Sequence, residues 1–144
     1  MMVVKTILSV VAIISAAMPA SASDESILAA AVSLELNAAK TTDDTCTLTF
    51  MVINGHADPI GKLVYETVLF DSSGQVDRLA LFDFGTLPPA RPRVRQFSVP
   101  GVRCDALGMV LINGANTCES ATLDATACEA GLTVSSRTDI EVQG

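Results

Sequence analysis

Hydrophobic and polar residues alternate along much of the chain, which is the pattern of strands with one buried face. Val32, Leu34 and Leu36 share one parity and are separated by polar residues. Residues 45–52 show the clearest alternation, with threonines between apolar positions. This segment stops at Asn54-Gly55, a dipeptide that is typical of turns, so the sequence predicts a strand that ends there.

Turn signals divide the middle of the chain into three more strands. Residues 63–70 are nearly continuous in apolar residues, and a second strand over residues 76–84 follows the turn Asp71-Ser-Ser-Gly74, which predicts a hairpin. Three prolines within residues 88–92 remove backbone donors and exclude a central strand there. The strand pattern resumes over residues 94–99.

The last third of the chain predicts two strands with a short helix between them. Residues 107–112 form an apolar strand that we expect to end at Asn113-Gly114. A short helix near residues 124–130 follows, with Asp124 as its cap, and residues 133–142 form the last strand. About seven short strands with frequent turns predict an all-β protein, an immunoglobulin-like antiparallel β-sandwich.

Residues 1–22 have the organisation of a secretory signal peptide. Lys5 precedes an apolar run over residues 7–18, and the segment ends in small residues, so we expect cleavage after Ala22. The alternative is an uncleaved anchor, but the run is shorter than the roughly 20 residues that span a bilayer. We therefore predict a single exported domain over residues 23–144, without a membrane span and in the periplasm rather than the extracellular space.

Composition adds little to the choice of function but excludes some partners. The chain has 144 residues, of which 49% are hydrophobic and 17% charged, and its formal net charge is −7. Removing the signal peptide removes Lys5 and part of the apolar excess, and the net charge becomes −8. An acidic protein repels nucleic acid at long range, so no nucleic-acid partner is expected.

Four cysteines lie in the predicted exported domain: Cys46, Cys104, Cys118 and Cys128. An even number of cysteines in an exported chain indicates disulfides, and three pairings are possible. We favour Cys118–Cys128 as a local bond and Cys46–Cys104 as a bond across the fold. A zinc site is the alternative, but no two cysteines have the close spacing that is typical of zinc ligands.

One segment resembles the FxLYD family of bacterial sandwich domains. Thr67-Val-Leu-Phe-Asp71 followed by Gly74 is similar to the family's strand end and turn, although Thr67 replaces the first aromatic residue. Asn54 and residues 85–90 also match the pattern, so the resemblance covers residues 45–112. It implies a sandwich fold in an envelope protein and implies no activity.

The most distinctive charged cluster consists of Arg91, Arg93 and Arg95. These residues stand at every second position, so a strand would place their side chains on one side. Arginine binds carboxylates and phosphates through paired hydrogen bonds, which indicates an anionic partner such as a peptide carboxylate, a glycan or an acidic protein patch. Alternatively, these charges and Pro92 protect an edge strand from aggregation, or the arginine stems cover the core edge near Phe97.

No catalytic constellation is evident in the sequence. His56 is the single histidine and lies in a turn, and no G-x-S-x-G motif is present. Carboxylates could act in pairs, but their spacing does not indicate which would converge. The acidic side chains considered are Asp43, Asp44, Asp58, Asp77 and Asp83. We therefore predict no catalytic residue, no metal site and no cofactor.

These observations favour a non-enzymatic periplasmic protein that binds or supports another envelope component. The alternatives are a secreted hydrolase whose acids converge in the fold, and a carrier of a small hydrophobic ligand. The apolar residues 63–84 are the only indication of a carrier. The sequence leaves the oligomeric state open.

Overall fold

The computed structural model describes residues 29–144, so the predicted signal peptide over residues 1–22 lies outside the described residues. Within them the protein is all-β, with eight strands and two 3-10 helices of a single turn. The strands are β1 (Val32–Thr42), β2 (Thr45–Asn54), β3 (Ile60–Asp71), β4 (Val76–Leu87), β5 (Arg93–Pro100), β6 (Leu107–Glu119), β7 (Thr133–Ser136) and β8 (Glu141–Gln143). The 3-10 helices are Cys104–Ala106 and Ala125–Cys128.

The strands form two four-stranded sheets that pack into a sandwich, as predicted. The first sheet has the order β5-β2-β1-β7 and the second has the order β4-β3-β6-β8. Most pairs are antiparallel, but β7 runs parallel to β1 and β8 runs parallel to β6. The prediction of an antiparallel sandwich is therefore wrong for these two pairs.

Alternating side chains fill the space between the two sheets. In β2 the residues from Cys46 to Asn54 at every second position are buried, as the alternation predicted. Phe50 lies at the centre, where its ring packs against Phe82 and Phe84 from the second sheet. Because both sheets contribute aromatic rings to one cluster, the core extends continuously between them.

The predicted single strand over residues 133–142 is two strands that belong to different sheets. The Ser136 hydroxyl accepts a hydrogen bond from the Thr138 amide, and the Thr138 hydroxyl accepts one from the Ile140 amide, both at 3.1 Å. These consecutive side-chain turns replace strand pairing and turn the chain away from the first sheet. The chain end therefore completes both sheets.

Two other predicted boundaries are wrong. β6 continues through Asn113-Gly114 as far as Glu119, because Gly114 adopts a positive φ and the register with β3 shifts there. The turn signal is thus a bulge inside a strand. The predicted helix is a single 3-10 turn, although Asp124 does cap it by accepting a hydrogen bond from the Thr126 amide.

Candidate functional site

The predicted arginine cluster lies at the seam where β5 of the first sheet borders β4 of the second. Arg93 and Arg95 lie on one side of β5, the side that also carries Phe97. Arg91 precedes the strand and is exposed. The structure therefore brings Arg93 and Arg95 together on the strand and leaves Arg91 in the preceding loop.

The guanidinium groups at this seam bond to main-chain carbonyls. Arg95 Nε donates to the Phe84 carbonyl of β4 at 2.9 Å, which connects the two sheets. Arg78 Nη1 on β4 donates to the Pro100 carbonyl of β5 at 2.7 Å, so a second arginine bridges the seam in the opposite direction. These bonds give Arg95 a structural role at the edge of the core, on the side of β5 that carries Phe97. An anionic ligand for the cluster stays a prediction.

An aromatic stack lies behind the arginines. The rings of Phe82 and Phe97 are parallel, with centroids 4.2 Å apart. Phe97 is half-buried, so β5 contributes an aromatic side chain to the rim of the core. The seam therefore combines cationic groups and an aromatic ring, both held by contacts within the fold.

Asn54 organises the loops beside the seam, and sequence reasoning treated it only as a turn signal and a point of family resemblance. Its side chain is buried, and Nδ2 donates to the carbonyls of Asp58 (2.9 Å) and Leu87 (3.0 Å). Its Oδ1 accepts a hydrogen bond from the His56 amide at 2.9 Å. One amide side chain thus joins the loop after β2 to the end of β4.

The same residue fixes the loop that carries Arg91. The Ala90 amide donates to the Asn54 carbonyl at 2.8 Å, and Ala90 has a φ of 57°. A non-glycine residue rarely adopts this left-handed conformation, and it persists only where surrounding contacts impose it. Asn54 supplies that contact.

His56 and the acidic residues do not assemble a metal centre within residues 29–144. His56 Nε2 lies 2.9 Å from the carbonyl oxygen of Ala127, so the ring bonds to the second 3-10 helix. In this part of the chain no three His, Cys, Asp or Glu side chains are grouped so that they could hold a metal ion.

A groove of about 690 Å³ lies at one end of the sandwich, between β1 and the connection from β7 to β8. One of its acidic groups pairs with an arginine, because Arg103 Nε lies 3.5 Å from Asp105. At its edge Arg137 bonds to Glu35 at 2.9 Å. Hydrogen bonds from Asn37 and then from Arg137 lower the pKa of Glu35, so this carboxylate is held in its charged form.

The cysteines form the two favoured disulfides, Cys46–Cys104 and Cys118–Cys128, and no cysteine among residues 29–144 is free. The first bond connects β2 to the 3-10 helix between β5 and β6. The second connects β6 to the second 3-10 helix. Two disulfides in a small domain indicate an oxidising, extracytoplasmic environment. Among the described residues, no helix is long and apolar enough to cross a membrane.

The buried side chain of Tyr65 connects the core to the second disulfide by a hydrogen bond. Its hydroxyl donates to the carbonyl of Cys128 at 2.5 Å. Burial, and then the charge of Glu129, raise the pKa of the Tyr65 phenol well above its ordinary value. The folded state therefore holds this phenol in its neutral form.

Replacing Tyr65 with phenylalanine is expected to lower the free energy of unfolding by about 1 to 2 kcal/mol, because the buried Cys128 carbonyl loses its donor. Since the folded-state pKa is raised, the contribution of the phenol is complete below the unfolded-state pKa of about 10 and is lost as pH rises above it. Urea unfolding across that range measures both effects. If the variant lost stability as steeply as the wild type at alkaline pH, a group other than Tyr65 would be responsible for the pH dependence.

The outer faces of the two sheets differ in chemistry. The first sheet presents mainly hydroxyl and amide side chains, as the threonine pattern of β2 suggested. They include Ser33, Thr45, Thr47, Thr49, Gln96, Ser98 and Ser135. This is the usual composition of a sheet surface that faces water.

The outer face of the second sheet is apolar. Register places Leu79, Val68 and Leu111 in one row across β4, β3 and β6, and Val76, Phe70 and Met109 in the neighbouring row. Together with Leu81 they form what we name the apolar face: Val68, Phe70, Val76, Leu79, Leu81, Met109 and Leu111. The exposed fraction is 63% for Leu79, 58% for Leu81 and 54% for Val76. These three residues all lie on β4, whereas Phe70, Met109 and Leu111 are half-buried and Val68 is buried, with 8% exposed. Scattered exposed leucines are ordinary, but a contiguous apolar set across three strands is a candidate interaction surface.

Sequence reasoning missed the apolar face, although one signal was present. In β3 both parities are apolar: Leu63, Tyr65 and Leu69 point into the core, while Val68 and Phe70 point outward. A continuous apolar strand is expected when both faces of a sheet are covered. Within residues 29–144, the opposite sheet covers one face of β3; on the other face Phe70 is half-buried and Val68 is buried between its neighbours on β4 and β6.

Comparison with known proteins supports the fold. No protein family model and no curated protein matches the chain, so the FxLYD resemblance stays a prediction. The structure of IrmA from Escherichia coli is similar, with a TM-score of 0.58 and 16% identity over 72% of this chain and 90% of that chain. A beta-glucosidase from Kluyveromyces marxianus matches 49% of this chain and 9% of its own at 14% identity, but its TM-score of 0.38 is too low to carry an argument. The likeness to IrmA shows a shared β-sandwich fold and no more.

Proposed function

We propose that the protein is a non-enzymatic binding protein of the bacterial periplasm, which holds another envelope protein against the outer face of its second sheet. The observation that carries this proposal is the apolar face, with Leu79 and Leu81 more than half exposed. The two disulfides support an extracytoplasmic site of action. The hydrolase and the hydrophobic carrier stay as alternative predictions.

The apolar face is suited to binding because it is rigid before a partner arrives. β3 is paired along most of its length with both β4 and β6, so the backbones of all three strands are held in register. A preorganised surface loses little conformational entropy on association. Removing apolar surface from water contributes about 25 cal/mol per Å², so covering several leucines and valines stabilises a complex substantially.

Replacing Leu79 and Leu81 together with serine is expected to release the partner, with affinity reduced by more than about tenfold. The measurement is crosslinking followed by affinity purification of the mature protein from its own envelope. Val94→Ser is the matched control, because Val94 is 59% exposed but lies on β5 of the first sheet. Recovery of the same partners by the Leu79→Ser/Leu81→Ser variant would exclude the apolar face as the binding site.

A further inference from the structure

The charged residues around the apolar face are predominantly acidic. Register and parity place six charged side chains on this surface of the second sheet. They are Lys62, Glu66, Asp77, Asp83, Glu119 and Glu141. Asp77 pairs with Arg78 at 2.6 Å, and the other four carboxylates with the one lysine give the surface a formal charge of −3. We propose that the partner contacts this surface with an apolar patch that is rimmed by lysine or arginine side chains; this inference rests on the proposed function.

Two of the carboxylates are held in position beside the exposed leucines. Glu66 lies opposite Leu81 in the register of β3 and β4, and its Oε1 accepts a hydrogen bond from Asn113 Nδ2 at 2.6 Å. Asp83 follows on the same side of β4, and its Oδ1 accepts a hydrogen bond from the Gly85 amide at 2.8 Å. Each side chain is therefore oriented by a neutral donor within the fold.

The single lysine does not neutralise this surface. Lys62 lies opposite Glu119 in the register of β3 and β6, at the far end from the leucines. Glu66, Asp83 and Glu141 have no arginine or lysine within ion-pair distance in the part of the chain that the structure describes. Charges at the edge of an apolar contact select partners by complementarity, because like charges that face each other oppose association.

The same charges argue against two other occupants. A second copy of this chain that docked face to face through a two-fold axis would bring together two surfaces of the same net negative charge. A membrane surface rich in anionic lipid would be repelled by the same groups. A basic protein surface is favoured by both the apolar centre and the acidic rim.

Two synthetic amphipathic helical peptides test this inference on the mature, disulfide-bonded protein. They share one length and one leucine face, and they carry either lysine or glutamate on the other face. We expect the lysine peptide to bind at least about tenfold tighter by calorimetry, and its affinity to fall as salt is raised. Glu66→Gln/Asp83→Asn should weaken it about fivefold. Asp43→Asn/Asp44→Asn, which removes two exposed acids from the turn between β1 and β2, should not change it.

The outcomes separate the inference from the proposed function. If both peptides bind equally and Leu79→Ser/Leu81→Ser abolishes both, the apolar face binds partners but the requirement for basic residues is wrong. If the lysine peptide does not bind, or binds the leucine variant as well as the wild type, the inference is also overturned. Sedimentation that shows a dimer dissociated by Leu79→Ser/Leu81→Ser would identify a second copy as the occupant instead.

Discussion

A variant in which Cys46 and Cys104 are both replaced by alanine is expected to lose about 4 kcal/mol of unfolding free energy. The two residues are 58 positions apart, so the bond removes much of the loop-closure entropy of the unfolded chain. The bond also joins buried Cys46 on β2 to the connection between β5 and β6. Both effects stabilise the folded state, and the second one holds the first sheet to the connection between β5 and β6.

The second disulfide provides the matched control. Cys118 and Cys128 are ten positions apart, and the same entropy relation gives about 3 kcal/mol for their removal. Urea unfolding followed by circular dichroism compares the two alanine pairs with the wild type under oxidising conditions. A smaller loss for the Cys46/Cys104 pair than for the Cys118/Cys128 pair would contradict the loop-length argument.

Replacing Asn54 with alanine is expected to cost about 3 to 4 kcal/mol, which is unusually large for one polar side chain. The substitution leaves the Asp58 and Leu87 carbonyls and the His56 amide without their partner; the bond to Leu87 is buried and the other two are partly buried. Each unsatisfied buried group costs about 1 to 3 kcal/mol, and the losses are not fully additive. The loop that holds Ala90 in its left-handed conformation should loosen at the same time.

Asn37→Ala is the control for Asn54→Ala. Asn37 is exposed, and its side chain bonds only to Glu35 on the same strand. Its replacement should change the unfolding free energy by less than about 0.5 kcal/mol. If the two alanine variants unfolded at the same urea concentration, Asn54 would not organise the loops as described.

Alternation predicted the strands well, because each sheet of the sandwich buries one face. β2 is the clearest example, where threonines point outward and Cys46, Leu48, Phe50 and Val52 point inward. The hairpin of β3 and β4 was also predictable, since Asp71 accepts hydrogen bonds from the amides of Ser73 and Gln75 in the turn. The hydrogen bond from the Ser73 hydroxyl, and then the bonds from these amides, lower the pKa of Asp71, in agreement with its capping role.

The assignment of strands to sheets was less predictable. Val134 and Val142 share one parity, so residues 133–142 read as one continuous strand. Parity indicates which side chains are buried, but it does not indicate which sheet buries them. The break depends on the hydroxyl groups of Ser136 and Thr138, whose bonds to nearby amides form only when the chain turns.

The candidate site was the least predictable part. The apolar residues of β3 and β4 suggested a possible ligand cavity, but they divide between the core and an outward face. That division requires knowledge of which side of each strand the other sheet covers. Asn54 likewise has a role that depends on Leu87, which lies 33 positions away, and such a contact has no local signature.

The short strand β7 has a consequence for the order in which the protein is assembled. β7 pairs with β1 across about 100 residues, which costs about 4 kcal/mol of loop-closure entropy in an unconstrained chain, whereas β1 and β2 are joined by a tight turn. A chain that is synthesised from its N-terminus therefore exposes the edges of β1 and β6 until residues 133–143 have also been made. Unpaired strand edges promote aggregation, so the interval before the chain end arrives is the period in which this protein most needs protection.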